Sequence, residues 1–115
     1  MIKYSLNAHS QDMDLALRKA LYNAAAALDF DILVTCVFRC KFDQDTAYAN
    51  GKSKLKYPHS AHNKRPCKAF DMCPMLNGNL LWQDIEKFNK VREEISKHVE
   101  LKPVIRWDIG HMEMK

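Results

Sequence analysis

A seven-residue apolar run, Ile32 to Phe38, follows closely on a stretch in which Met13, Leu17, Ala20, Leu21, Ala24 and Leu28 recur at spacings of three and four. The run is short and rich in β-branched residues, so it reads as a buried strand. The stretch before it reads as an amphipathic helix of about five turns. Ser10 is its expected N-cap, with Asp12 and Asp14 near the positive end of the helix dipole. Neither element buries its apolar face alone, so the two must pack as layers.

The rest of the chain extends that plan. Phe42 to Asn50 reads as a short helix stopped by Gly51, and Lys52 to Arg65 has no apolar period and reads as an exposed loop. Cys67 to Pro74 reads as a strand, Asn77-Gly78 as a hairpin turn and Asn79 to Trp82 as the returning strand. Ile85, Phe88, Val91 or Arg92, Ile95 and Val99 mark a second long helix, with Glu86 and Lys90 spaced to pair at i, i+4. Two short strands, Val104 to Asp108 and Gly110 to Met114, complete the pattern. Strands and helices follow without regular βαβ alternation, which predicts an α+β fold with a small, mainly antiparallel sheet against helices. A chain of 115 residues suits a single domain, 1–115.

Composition removes several classes. Hydrophobic residues make up 47% and there are only 3 Gly and 4 Pro, which excludes disordered and low-complexity chains. The longest apolar run is far below the roughly 18 to 20 residues that cross a bilayer, so no membrane span is expected. Met1 to Ser5 lacks a basic segment followed by an apolar stretch, so no signal peptide is expected. The four cysteines form no C-x-x-C pair, so they are read as thiols without chemistry rather than as a disulfide framework or zinc finger. A net charge of +4 suits an acidic partner, whether nucleic acid, anionic lipid or a cell-wall polymer carrying carboxylates. Lys52, Lys54, Lys56, Lys64, Arg65 and Lys68 could form a nucleic-acid stripe, but Tyr57 alone makes no stacking ladder, so no nucleic-acid partner is expected.

Residues suited to chemistry concentrate in Ser60 to Asp71, in Trp107 to Glu113, and at Arg39. A catalytic zinc takes three protein ligands and leaves one position open. His62, Asp71 and His111 would supply two imidazoles and a carboxylate. Their separations are not helical, so only a fold that gathers loop and strand ends unites them. By spacing alone, surface or hydrogen-bonded histidines are the simpler reading, and for Arg39 an ion pair at a strand end stays open.

The ordered motifs add a resemblance. S-x-H-N at Ser60, P-x-x-A-x-D at Pro66, P-x-x-N-G-x-x-x-W at Pro74 and D-x-x-H-x-E at Asp108 follow an upstream run of Arg39, Gln44, Tyr48, Gly51, Ser53 and Lys54. This order, covering Asp31 to Glu113, resembles the phage-type branch of the zinc D-alanyl-D-alanine carboxypeptidase and L-alanyl-D-glutamate endopeptidase superfamily. Those cell-wall peptidases are related to the vancomycin-resistance D,D-dipeptidases. The chain departs from the family pattern at Cys36 to Cys40 around the arginine, in a compressed segment before His111, and at Met112, where an aromatic is usual.

The resemblance implies a Hedgehog and DD-peptidase-like fold with a zinc site at the sheet. His62, Asp71 and His111 would bind one catalytic Zn2+, Asp108 would be the general base, and Arg39 would stabilise an oxyanion or hold a substrate carboxylate. Ser60 would contact substrate or orient the metal loop, and Gln44 would support substrate or ligands. Glu113 would fix an imidazole tautomer, and Trp107 would line the cleft. The implied activity is hydrolysis of an amide in the peptidoglycan stem peptide, L-Ala-D-Glu or D-Ala-D-Ala, by a monomeric phage lysis enzyme. Such an enzyme would be held in the host cytoplasm until lysis and would have no separate wall-anchoring module. Two other readings stay open: a non-enzymatic basic module for nucleic acid or cell-wall polymer, and a zinc-bound inactive relative.

Overall fold

The computed structural model describes all 115 residues, Met1 to Lys115. Its strands are β1 (Ile2–Tyr4), β2 (Asp31–Cys36), β3 (Ala69–Leu76), β4 (Asn79–Leu80) and β5 (His111–Glu113), and its α-helices are α1 (Leu15–Ala27), α2 (Lys41–Ala49) and α3 (Ile85–Ser96). The fold is α+β. β2 and β3 pair antiparallel, β4 and β5 pair antiparallel with opposite ends of β3, and β1 runs parallel to β2. The sheet is therefore mixed. At three residues β1 is too short to show an alternating pattern, and its pairing with Ile32 to Val34 depends on the rest of the fold.

α1 packs on α3, and Leu17, Leu21 and Ala24 meet Phe88, Val91 and Ile95 in a core completed by Ile32, Val34, Phe70, Met72 and Met112. The core-facing residue of α3 is thus Val91 rather than Arg92, while Ile85 points outward at 59% exposure. Trp82 is also exposed, at 55%. No helix is long and apolar enough to cross a membrane.

Several local expectations change for physical reasons. Ser10 opens a 3-10 turn, and the cap of α1 is Asp14, whose carboxylate accepts from Ala16 N at 2.9 Å and Leu17 N at 3.3 Å. The start moves because Cys67 ties down the preceding backbone: Cys67 N donates to Asp12 O at 2.6 Å and Asp14 N to Cys67 O at 2.8 Å. α1 consequently has 13 residues rather than five turns. Glu86 and Lys90 form no ion pair. Instead Lys87 meets Asp84, the cap of α3, at 3.0 Å. Val104 to Asp108 is not a strand, because Asp108 N bonds back to Ile105 O at 2.9 Å and folds the segment into a turn. The Asn77-Gly78 turn has φ of 53° and 80°, as a tight hairpin requires, and Gly51 has φ of 73° past the end of α2.

Gly110 connects the Ile105–Asp108 turn to β5 and has no room for a side chain. A Cβ there would lie 2.4 Å from the Met72 carbonyl oxygen and 3.3 Å from a Phe88 ring carbon. Gly110→Ala is therefore expected to destabilise the fold by about 1–3 kcal/mol through overpacking, read as a lowered midpoint in urea. The same strain would displace Asp108 and His111, which flank it.

Candidate metal centre

The sheet register assembles the site. Cys36 on β2 and His111 on β5 are both aligned with Asp71 on β3, so three strands present these residues side by side. Alternation along β5 keeps Met112 in the core and turns His111 and Glu113 to the same face. His62 arrives from outside the sheet, on the 3-10 turn Ala61–Asn63. Ser60 caps that turn: its hydroxyl accepts from His62 N at 3.2 Å, while Asn63 Oδ1 accepts from Ser60 N at 3.0 Å.

Hydrogen bonds set which imidazole nitrogen faces the centre. His62 Nδ1 lies 2.7 Å from the Val37 carbonyl and must donate to it, which leaves the lone pair on Nε2, 3.2 Å from Asp71 Oδ1. His111 Nε2 lies 3.0 Å from Glu113 Oε1, which leaves the Nδ1 lone pair 2.9 Å from the same Asp71 oxygen. Glu113 is itself held by Lys102 Nζ at 2.6 Å. Two imidazole lone pairs and a carboxylate oxygen thus converge, and acceptors this close need a proton or a cation between them. Two nitrogens and one oxygen, each imidazole oriented from behind, are donor types that suit a divalent cation, with Asp71 the residue shared by both groups of close ligand atoms.

Two overlapping groups have ligand atoms mutually within 4.8 Å: Cys36 with His62 and Asp71, and Asp71 with Asp108 and His111. The sequence alone reads Cys36 as a thiol without chemistry, yet it lies beside the site. Its Sγ sits 3.7 Å from His62 Nδ1 and accepts from Arg39 Nε at 3.3 Å. Nothing local in the sequence marks it, because its proximity comes from the alignment of β2 with β3. All four cysteines are free thiols.

Arg39 Nη2 lies 3.6 Å from Asp71 Oδ2, and Nη1 donates to Gln44 Oε1 at 2.9 Å. Gln44 is fully buried. Its amide donates to Ser53 Oγ at 2.9 Å and to the Leu55 carbonyl at 2.7 Å, so it fastens the exposed loop to Arg39 and touches no open surface. Arg39, Ser60, His62, Trp107, Asp108, His111 and Glu113 line one cleft of about 240 Å3. Trp107 is 62% exposed at its rim, with Lys54 Nζ 4.5 Å above the ring. His59 lies off this cleft, in a neighbouring groove.

Without metal, the site favours protonated imidazoles beside an ionised Asp71. Burial lowers the pKa of His62, but bonds to Asp71, Cys36 and Cys67 outweigh it and the pKa ends well above its ordinary value. His111 is raised in the same way, with Asp71 and Glu113 overcoming burial. Burial pushes Asp71 up, yet its two imidazole bonds hold it well below the usual carboxylate range. Burial and then the Asp71 charge raise Asp108.

These shifts fix a pH dependence for the metal-free protein. The raised imidazoles contribute stability that is complete below their unfolded value of 6.5 and is lost as pH rises through the folded values. The lowered Asp71 contributes stability that is complete above 3.8 and is lost as pH falls through its folded value. With chelator present, the stability gap between the wild type and Asp71→Asn is expected to be widest between those two values and to narrow on either side, in denaturant titrations across pH. A gap that does not change with pH would contradict the ion-paired arrangement.

Comparison with known proteins agrees with this architecture. Residues 3–113 match the family described as phage L-alanyl-D-glutamate peptidase. The crystal structure of Serratia marcescens L-Ala D-Glu endopeptidase ChiX superposes with a TM-score of 0.77 over 98% of this chain and 90% of that one, at 14% identity. At that identity the likeness establishes the fold. No curated protein matched in a sequence search.

Proposed function

The chain belongs to the phage L-alanyl-D-glutamate peptidase family, and from that premise we propose that it is a zinc-dependent endopeptidase cutting the L-Ala-D-Glu bond of the peptidoglycan stem. In this reading residues 1–115 form one catalytic domain, monomeric, that serves phage lysis from the host cytoplasm. The observation that carries the reading is the convergence of His62 Nε2 and His111 Nδ1 on one oxygen of Asp71. These three residues would hold the ion, which when bound supplies Lewis acidity and lowers the pKa of water.

The remaining roles belong to the chain's own side chains. Asp108 would act as general base, taking a proton from the attacking water and passing it to the leaving amine of D-Glu. Arg39 is held on one side by Gln44 and faces the cleft, so it would present a fixed cation to the developing carbonyl oxyanion. Glu113 and the Val37 carbonyl would keep each imidazole in the tautomer that leaves its inner nitrogen unprotonated. Ser60 would orient the His62 turn.

The test is mass spectrometry of purified peptidoglycan after digestion, with and without chelator and with zinc restored. The expected result is fragments with a new N-terminal D-Glu that disappear with chelator and return with zinc. Cleavage elsewhere in the stem, or cleavage indifferent to chelator, would overturn the bond assignment or the metal dependence respectively.

A further inference from the structure

The surface changes character along β5. At its Gly110 end a cavity walled by Trp82, Phe88 and Trp107 contains two carboxylates, Asp71 and Asp108, and no lysine or arginine. At its Glu113 end lies a groove of about 680 Å3 lined by Lys64, Arg65, Lys68, Lys102 and Lys115, with Glu113 as its one acidic side chain. This groove opens off the central cleft, since Leu55, Ala61 and Glu113 line both. Three of its cations have carboxylate neighbours: Arg65 faces Asp12 at 3.5 Å, Lys102 faces Glu113 at 2.6 Å and Lys115 faces Glu100 at 3.9 Å. Lys64 and Lys68 form no ion pair and are exposed.

We propose that the groove is the subsite for the carboxylate-bearing part of the stem peptide, so that substrate lies along β5 with its acidic end over Lys64 and Lys68. The inference rests on the endopeptidase reading and adds a direction to it. From the γ-linked D-Glu onward the stem carries a free α-carboxylate and, where the diamino acid is diaminopimelate, a second free carboxylate. Before L-Ala it carries a neutral lactyl-sugar. Reversed, the acidic end would meet the Asp108 carboxylate in a cavity lined by no lysine or arginine, a like-charge juxtaposition that opposes binding. In the proposed direction the sugar end falls beside Trp82 and Trp107, and the exposed Trp82 ring offers an apolar face for stacking, while Lys54 sits over Trp107. Lys64 and Lys68 are thus specificity-determining residues.

The test measures binding to the zinc-loaded protein by calorimetry, using γ-D-glutamyl-diaminopimelate, the uncleavable product from the C-terminal side of the cut, and its amidated counterpart. Wild type is expected to prefer the free acid, and that preference should shrink as salt rises. Lys64→Glu combined with Lys68→Glu is expected to weaken acid binding by about tenfold or more while leaving the amide unchanged. Equal affinity of wild type for acid and amide, or an unaffected charge-reversal variant, would overturn the proposal. So would poly(glycerol phosphate) binding more tightly than the acid dipeptide and losing that binding in the variant, because the groove would then serve a wall phosphate polymer. The salt and amide arms need only wild type, so they stand even if the variant folds poorly. Acid-selective binding without cleavage at L-Ala-D-Glu would sink the endopeptidase reading and keep the subsite, and cleavage without acid selectivity would do the reverse.

Discussion

His62→Ala is expected to leave the protein unable to retain zinc through dialysis and without peptidoglycan cleavage above background. His62 is 3% exposed and supplies one of three converging donors, so its loss leaves one imidazole and a carboxylate, too few for a catalytic zinc position. The fold should survive. The Val37 carbonyl that loses the imidazole donor keeps the Cys67 thiol at 3.0 Å, and the capped turn is built mostly from the backbone and side chains of Ser60 and Asn63. A destabilisation of about 1–3 kcal/mol is expected from the lost hydrogen bonds and packing. Glu113→Gln provides the graded control. It keeps all three donors but weakens the support behind His111, so metal affinity should fall by roughly 10- to 100-fold. Metal content after dialysis, together with a denaturation midpoint, checks both variants. A His62→Ala protein that keeps stoichiometric zinc would remove His62 from the ligand set and point to the Cys36 thiol as its replacement.

Asp108→Ala is expected to have the opposite signature, with zinc retained and the rate lost. Its carboxylate lies within 4.8 Å of the ligand atoms of Asp71 and His111, close enough to reach a water held between them. Removing a positioned general base lowers kcat by about 10²- to 10⁴-fold. The isosteric Asp108→Asn should lose as much, since the amide cannot accept the proton, and it should also lose the acid limb of the pH-rate profile that Asp108 sets in the wild type. Metal content and kcat measured together across pH distinguish this from a ligand role. Full-rate cleavage by either variant would reject Asp108 as base. Wild-type protein that holds zinc and cuts nothing would establish the zinc-bound inactive relative instead.

Part of this architecture was legible in the residues. Leu17, Leu21 and Ala24 on α1, and Phe88, Val91 and Ile95 on α3, follow helical period closely enough to mark both core faces. Asn77-Gly78 marked its own turn through the positive φ it adopts. Other features depended on distant partners. Ser10 is chemically as good a cap as Asp14, and Cys67, more than fifty residues away, decides between them by holding Met13 and Asp14 extended after the 3-10 turn. β1 exists because Ile32 to Val34 offers an open edge. Val104 to Asp108 has strand-like residues, but its backbone bonds turn back on themselves.

For the site, the residues alone determined the chemistry on offer: two imidazoles, carboxylates and an arginine in the family's order. Only the tertiary structure decided how those groups face one another. Register aligned Cys36, Asp71 and His111 across three strands, and the Val37 carbonyl and Glu113 chose which imidazole nitrogen points inward. The physical reason is that strand pairing and the hydrogen bond behind each ring are contacts between residues far apart in the chain. A one-residue slip of β5 would leave the sequence unchanged and turn His111 into the core.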